Sequence, residues 1–191
     1  MNIVITGPSG SGKSTLAKML GKRINAKICE VDLFFRESFL EQKELMISKL
    51  GENCISTDGS VNFGLLSLLS PEKDLEIRML LSESMNKKIL NEINKSKLEN
   101  KHIIFDYLFI TDCQALINAD LIVYIKTPIE IRYKRMLSRS KERFKFTKEQ
   151  FVAMDNLTNS TIKNFKPNFV IDNSLNKRLE EQVDKIVKFI K

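Results

Sequence analysis

Residues 2–15 read NIVITGPSGSGKST, and this stretch constrains the fold more than any other. A short apolar run, Ile3 to Thr6, stops at Gly7. Small residues follow, closing on Gly12-Lys13-Ser14, and Leu16, Met19 and Leu20 then recur at helical spacing. The pattern GxxxxGK[ST] is met at every fixed position, with a strand before it and a helix after it. Such a loop turns several backbone N–H groups inward beside the positive end of a helix, which is a site for phosphate. Gly7, Ser9, Gly10, Ser11 and Gly12 are expected to form the cradle. Lys13 is expected to reach the β- and γ-phosphates of a nucleoside triphosphate, Ser14 to ligate Mg²⁺ and Thr15 to touch the α-phosphate. ATP with Mg²⁺ is the expected pair.

A loop of this kind needs a parallel sheet behind it. Further strand-like runs occur at Ile103 to Asp106, Leu121 to Ile125 and Phe169 to Ile171, with a weaker one at Lys27 to Val31. Helical spacing separates them. Leu75, Met79, Leu80, Ile89, Leu90 and Ile93 fit one or two long middle helices. Ser70-Pro71 reads as a helix start, and Thr127-Pro128 repeats that pattern. Leu179, Val183, Ile186, Val187 and Ile190 form one stripe of a C-terminal helix from Leu175. The alternation predicts an α/β fold: a five-stranded parallel sheet flanked by helices. One domain is expected over 1–191. Residues of about 33–100 read as a helical insertion that binds an acceptor, and those of about 139–147 as a basic lid.

The chemistry beyond the loop comes from strand ends. Asp32 in VDLFFR and Asp106 in HIIFD are predicted to close the second and third strands beside the loop. Phosphoryl transfer needs a carboxylate to orient or deprotonate an acceptor hydroxyl, and Asp32 suits that role. Asp106, after an apolar strand, suits the second anchor for Mg²⁺ and lies where the acceptor would come. Arg36, one helical turn from Asp32, could hold a phosphate on the acceptor. Arg132, Arg135 and Arg139 share a helix face; Arg135 and Arg139 are the expected stabilisers of transferred charge, and Arg132 reads rather as solvated. Phe34, Phe35, Phe63 and Phe109 read as core more than pocket, and His102 as structural.

Composition excludes several alternatives. The chain carries three widely spaced cysteines and one histidine, so no protein-built zinc site is expected. Reduced thiols fit the cytoplasm. No basic segment followed by an apolar run opens the sequence, so no signal peptide is expected, nor is a membrane partner. The net charge of +7 is scattered and needs no nucleic acid to explain it. No guanine-recognising NKxD motif is present, and the length of 191 residues suits a small-molecule kinase better than a large ATPase.

The order of these motifs resembles the dephospho-CoA kinase family, a P-loop kinase family that phosphorylates the ribose 3′-hydroxyl of dephospho-CoA. VDLFFR resembles its acidic strand end, with Asp32 matching the catalytic aspartate and Arg36 the nearby arginine. LGENCISTDGSVNFGLL, DYLFI, ADLIVYI, RYKRMLSR and NFVIDNS resemble its later segments, and the last implies that Asn173 lies near adenine. The chain departs from the family at Phe63, where arginine is usual, at Ser82-Glu83 for His-Pro, at Arg132 for glutamine and at Pro167-Asn168 for Ala-Asp. The resemblance implies ATP-dependent transfer to dephospho-CoA. The departures leave open a different acceptor, such as a nucleoside or deoxynucleoside monophosphate, and a third reading is an ATP-binding regulator without turnover.

Overall fold

The computed structural model describes residues 1–139, 147–162, 165–174 and 179–190. Strands β1 (Asn2–Thr6), β2 (Lys27–Glu30), β3 (Ile103–Asp106), β4 (Leu121–Lys126) and β5 (Phe169–Asp172) form one sheet in the order β2-β3-β1-β4-β5. All pairings are parallel. The expected fold class is therefore met. Helix α1 (Lys13–Ile24) follows β1; α2 (Val31–Glu41), α3 (Lys43–Leu50), α4 (Phe63–Leu66) and α5 (Pro71–Leu98) lie between β2 and β3. The short α6 (Gln114–Ile117) precedes β4, α7 (Ile129–Arg139) and α8 (Lys148–Ile162) follow it, and α9 (Leu179–Ile190) comes last.

Strand alternation sorts the core into two halves. Ile3, Ile5, Ile104, Leu121, Val123, Ile125 and Ile171 face α1 and α9, where Leu16, Leu20, Val183 and Ile186 meet them. Val4, Ile103, Phe105 and Ile122 face the other way, onto α2 and α5. Burial on both faces explains why these strands read as nearly continuous apolar runs.

Three local expectations are sharpened or corrected. The middle helix is a single element of 28 residues, capped by Ser70, whose hydroxyl accepts the Lys73 N–H. Its core stripe is Ile77, Leu81, Met85, Ile89 and Ile93, whereas Leu75, Met79 and Leu90 are exposed. Apolar residues lie all round this helix, so its rotation is set by what it packs on, chiefly α2 and α6. The strand β2 ends at Glu30, and Val31 is already helical and buried; Asp32 thus sits in the first turn of α2 rather than at a strand end. Thr127 does not cap α7: the helix starts at Ile129, its first N–H groups turn to the Pro128 carbonyl, and the Thr127 hydroxyl instead donates to the Ser11 carbonyl at 3.0 Å. The stripe expected on the C-terminal helix is met by Leu179, Val183 and Ile186 in the core, with Val187 and Ile190 packed beside them. His102 lies at the foot of β3, where its carbonyl accepts the Lys27 N–H, and burial lowers its pKa.

Among the described residues no helix is long and apolar enough to cross a membrane. Cys29, Cys54 and Cys113 are free and buried.

Candidate active site

Strand β1 lies between β3 and β4, where the direction of the strand order reverses, and ligands bind beyond the strand tips at such a point. The segment Gly7 to Gly12 leaves β1 here and enters α1 through Gly12, which has φ 104°. Glycine is required at this position from behind the loop: a Cβ on Gly12 would stand 2.4 Å from Asn173 Nδ2. One on Gly10 would stand 2.9 Å from the Arg132 carbonyl oxygen. The loop is thus packed tightly against α7 and the residue that follows β5, leaving its other side for a ligand.

Lys13 Nζ donates to the Gly7 carbonyl at 3.0 Å and the Pro8 carbonyl at 3.4 Å, which folds its side chain along the loop. Ser14 and Thr15 stand exposed at the start of α1. The register that pairs Ile5 with Asp106 brings the β3 carboxylate level with the loop. Ser14 Oγ donates to Asp106 Oδ2 at 2.6 Å. A hydroxyl and a carboxylate meeting at the strand tips are oxygen donors suited to Mg²⁺, which takes few protein ligands and completes its shell with water and phosphate. No larger cluster of acidic, cysteine or histidine ligands exists among the described residues. These residues fit a Mg²⁺–nucleotide.

Beside the loop opens a cavity of about 270 Å³. Ser9 and Asp32 lie on its wall nearest the loop, and Phe35, Phe63, Tyr107 and Phe109 supply aromatic surface. Three of the four phenylalanines read as core are therefore also pocket wall, while Phe34 packs against the core. Asp32 is exposed to solvent on one side, yet desolvation by the protein around it raises its pKa; Asp106 adds to the rise, and Lys13 and Arg36 oppose it. Arg36 lies over the Phe63 ring, 4.8 Å from its centroid. Arg78 also lines the cavity. It donates to both oxygens of Asp112 at 2.6 Å and to Asp74 at 2.9 Å, and its guanidinium lies 4.2 Å from the Phe109 ring centroid. Burial pushes the Asp112 carboxyl up even against Arg78. Neither Arg78 nor Asp112 was foreseen from the sequence, although Asp74 and Arg78 stand at the helical spacing of an ion pair.

The arginines of α7 divide differently from the expectation. Arg132, read as solvated, is 3% exposed. Its guanidinium pairs with both oxygens of Asp155 at 2.6 and 2.7 Å, and donates to Thr127 and Ser9 carbonyls at 2.9 and 3.3 Å. Asp155 had no sequence signal, because its partner lies on another helix. Arg135 donates to the carbonyls of Gly10, Ser11 and Asn173. Arg139 is the last residue of α7, and its side chain lies outside the described residues, as do residues 140–146 of the expected lid. Asn173, expected near adenine, directs Nδ2 to the Ser11 carbonyl at 2.8 Å.

Known proteins resemble this chain in sequence and fold. A family model described as an AAA domain matches residues 3–156. A cytidylate kinase from Sulfurisphaera tokodaii is 30% identical over 159 residues, spanning 81% of this chain and 71% of that protein. A cytidylate kinase from Clostridium botulinum, strain Loch Maree, is 27% identical across 100% of this chain and 98% of its own length. Among solved structures, TT1252 from Thermus thermophilus superposes with a TM-score of 0.73 at 20% identity, covering 98% of this chain and 95% of that one. A dephospho-CoA kinase from Campylobacter jejuni does so with a TM-score of 0.65 at 19% identity, covering 99% and 96%. The likeness to dephospho-CoA kinase is thus met in the fold. With the family match running from β1 into α8, through the phosphate loop and both carboxylates beside it, the chain belongs to the AAA domain family, as a P-loop kinase.

Proposed function

We propose that the protein transfers the γ-phosphoryl group of ATP to a nucleoside monophosphate, with CMP the first acceptor to test. The observation that carries this reading is the cavity beside the loop, whose aromatic walls end against the Arg78–Asp74 pair. Flat rings stack a nucleobase well, and a paired donor and acceptor can read its edge. Arg36, exposed and lying over the Phe63 ring of the cavity wall, would take the acceptor phosphate. The relatives named cytidylate kinase support the same acceptor class. Residues 33–100 would form the acceptor-binding segment and 139–147 the lid. Lys13, Arg135 and Arg139 would offset charge on the transferred group. Ser14 and Asp106 would hold Mg²⁺, which would supply positive charge between the phosphates. Free cysteines fit a cytoplasmic setting.

A second reading keeps dephospho-CoA as acceptor, favoured by the raised pKa of Asp32. A ribose hydroxyl must lose a proton on attack, and a carboxylate of raised pKa is the better base. A phosphate oxygen arrives ionised and needs none. The separating experiment measures ADP release with Mg²⁺–ATP and CMP, dCMP, UMP, AMP or dephospho-CoA in turn. Fastest turnover with a pyrimidine monophosphate is expected. Turnover with dephospho-CoA alone overturns the proposal in favour of the second reading; tight ATP binding with no turnover on any acceptor overturns both in favour of a regulator.

A further inference from the structure

The phosphate loop is held through its carbonyl groups, and their partners can be followed one by one. The carbonyls of Gly7 and Pro8 accept from Lys13 Nζ, and that of Pro8 also accepts the Ser11 N–H at 3.1 Å. Ser9 accepts from Arg132, Gly10 from Arg135, and Gly12 from the Leu16 N–H. The Ser11 carbonyl stands apart. Asn173 Nδ2 donates to it at 2.8 Å, Thr127 Oγ1 at 3.0 Å and Arg135 Nη1 at 3.4 Å. A carbonyl oxygen offers two lone pairs, so three donors exceed what satisfying it requires.

These donors come from separate places: just past β4, just past β5, and from α7. Thr127 and Asn173 are buried, at 5% and 3% exposure. Both are themselves fixed: the Thr127 carbonyl accepts from Arg132 Nε at 2.9 Å, and the Asn173 N–H donates to the Lys126 carbonyl at 2.9 Å. In a planar trans peptide the C=O and the following N–H point in opposite directions. Holding the Ser11 carbonyl outward therefore aims the Gly12 N–H inward, to the side left for the ligand. The contact that excludes a Cβ from Gly12 is this same Asn173 amide.

We propose that Thr127 and Asn173 are positioning residues for the phosphoryl donor: they grip the Ser11 carbonyl from behind and point the Gly12 N–H at the nucleotide's phosphates. The inference rests on the loop being a phosphate cradle and is independent of the acceptor. It moves Asn173 from the adenine to the loop itself. Arg135 supplies the longest of the three bonds, so two donors still hold the peptide when its guanidinium turns to other work.

Binding of Mg²⁺–ADP, measured by titration calorimetry, tests this without any acceptor. Thr127→Val removes one donor at similar side-chain size and is expected to weaken ADP binding about tenfold. Thr127→Ser, which keeps the hydroxyl, is expected to stay within about threefold of wild type. The Gly12 amide resonance, followed by nitrogen–proton NMR, is expected to move less on ADP addition in Thr127→Val than in wild type. A thermal melt run alongside confirms that each variant is folded; should Thr127→Val unfold at the assay temperature, Asn173→Ala takes its place with the same expected loss. A folded variant that binds ADP as wild type does, with an unchanged Gly12 shift, overturns the positioning role. A wild-type protein that binds no ADP overturns instead the reading of the loop.

Discussion

Asp155→Ala removes one half of the most deeply buried ion pair at the site. The side chains of Arg132 and Asp155 are 4% and 7% exposed and are joined by two hydrogen bonds, at 2.6 and 2.7 Å. Deleting one partner strands the other's charge in a poor dielectric, which costs about 3–5 kcal/mol. Arg132 keeps its bonds to the Thr127 and Ser9 carbonyls, which offset part of that cost, so the lower figure of about 3 kcal/mol is the expected loss. For a domain of this size each kcal/mol moves the melting temperature by about 2–4 °C, giving a drop of about 6–12 °C. The assay is a circular-dichroism melt at pH 7. Replacing both partners by apolar residues, Arg132→Met with Asp155→Leu, is expected to recover most of the loss, because no charge is then left buried. The double variant should still bind ATP more weakly than wild type, since the Ser9 carbonyl loses its donor. If Asp155→Ala melts within about 2 °C of wild type, the cost of stranding Arg132 has been misjudged and the pair does not hold α8 to the loop.

Asp32→Asn separates the acceptor classes: its rate should fall about 10²–10⁴-fold with a hydroxyl acceptor and stay within about tenfold with a phosphate acceptor. The same variant should melt higher than wild type at pH 7. The protein crowding Asp32 holds its folded pKa above the unfolded value of about 3.9 although the side chain is exposed, so its ionised form costs a solvent-screened amount of stability above the folded pKa, and the cost is absent below about pH 3.9. Melts of the two proteins that coincide at neutral pH would contradict this sign. Ser14→Ala is expected to raise the Mg²⁺ concentration needed for half-maximal rate, and an unchanged Mg²⁺ titration would remove Ser14 from the metal site. The native thiols should react slowly with a thiol reagent, because burial pushes Cys29 up to about 11 and Cys113 up to about 12; labelling faster than global unfolding would show that these sites open locally.

The donor half was the more legible because its information is local. The loop pattern, the strand before it and the helix after it are contiguous, and backbone sterics turn GPSGSGKS into one shape. Asp106 could be found because an apolar run ending in a carboxylate next to a parallel strand has few places to go. Asp32 was found as a residue but placed one element too early: β2 passes into α2 without an intervening loop, and no glycine or proline marks the change. The cavity beside the loop was hidden for a different reason. Phenylalanines serve core and pocket alike, and the local pattern around Phe35, Phe63 and Phe109 is the same in both settings.

What the sequence determined by itself was a parallel α/β sheet with a phosphate cradle after its first strand, because periodicity and glycine stereochemistry act over a few neighbouring residues. Tertiary structure alone decided what Arg132 and Arg135 of α7 each meet. Arg132 and Arg135 stand at one helical spacing and look equivalent in the chain. Arg132 meets Asp155 of α8, and Arg135 meets the rear of the loop. Burying a guanidinium is stable only where a carboxylate or carbonyl oxygen already waits for it, and those partners come from segments far along the chain.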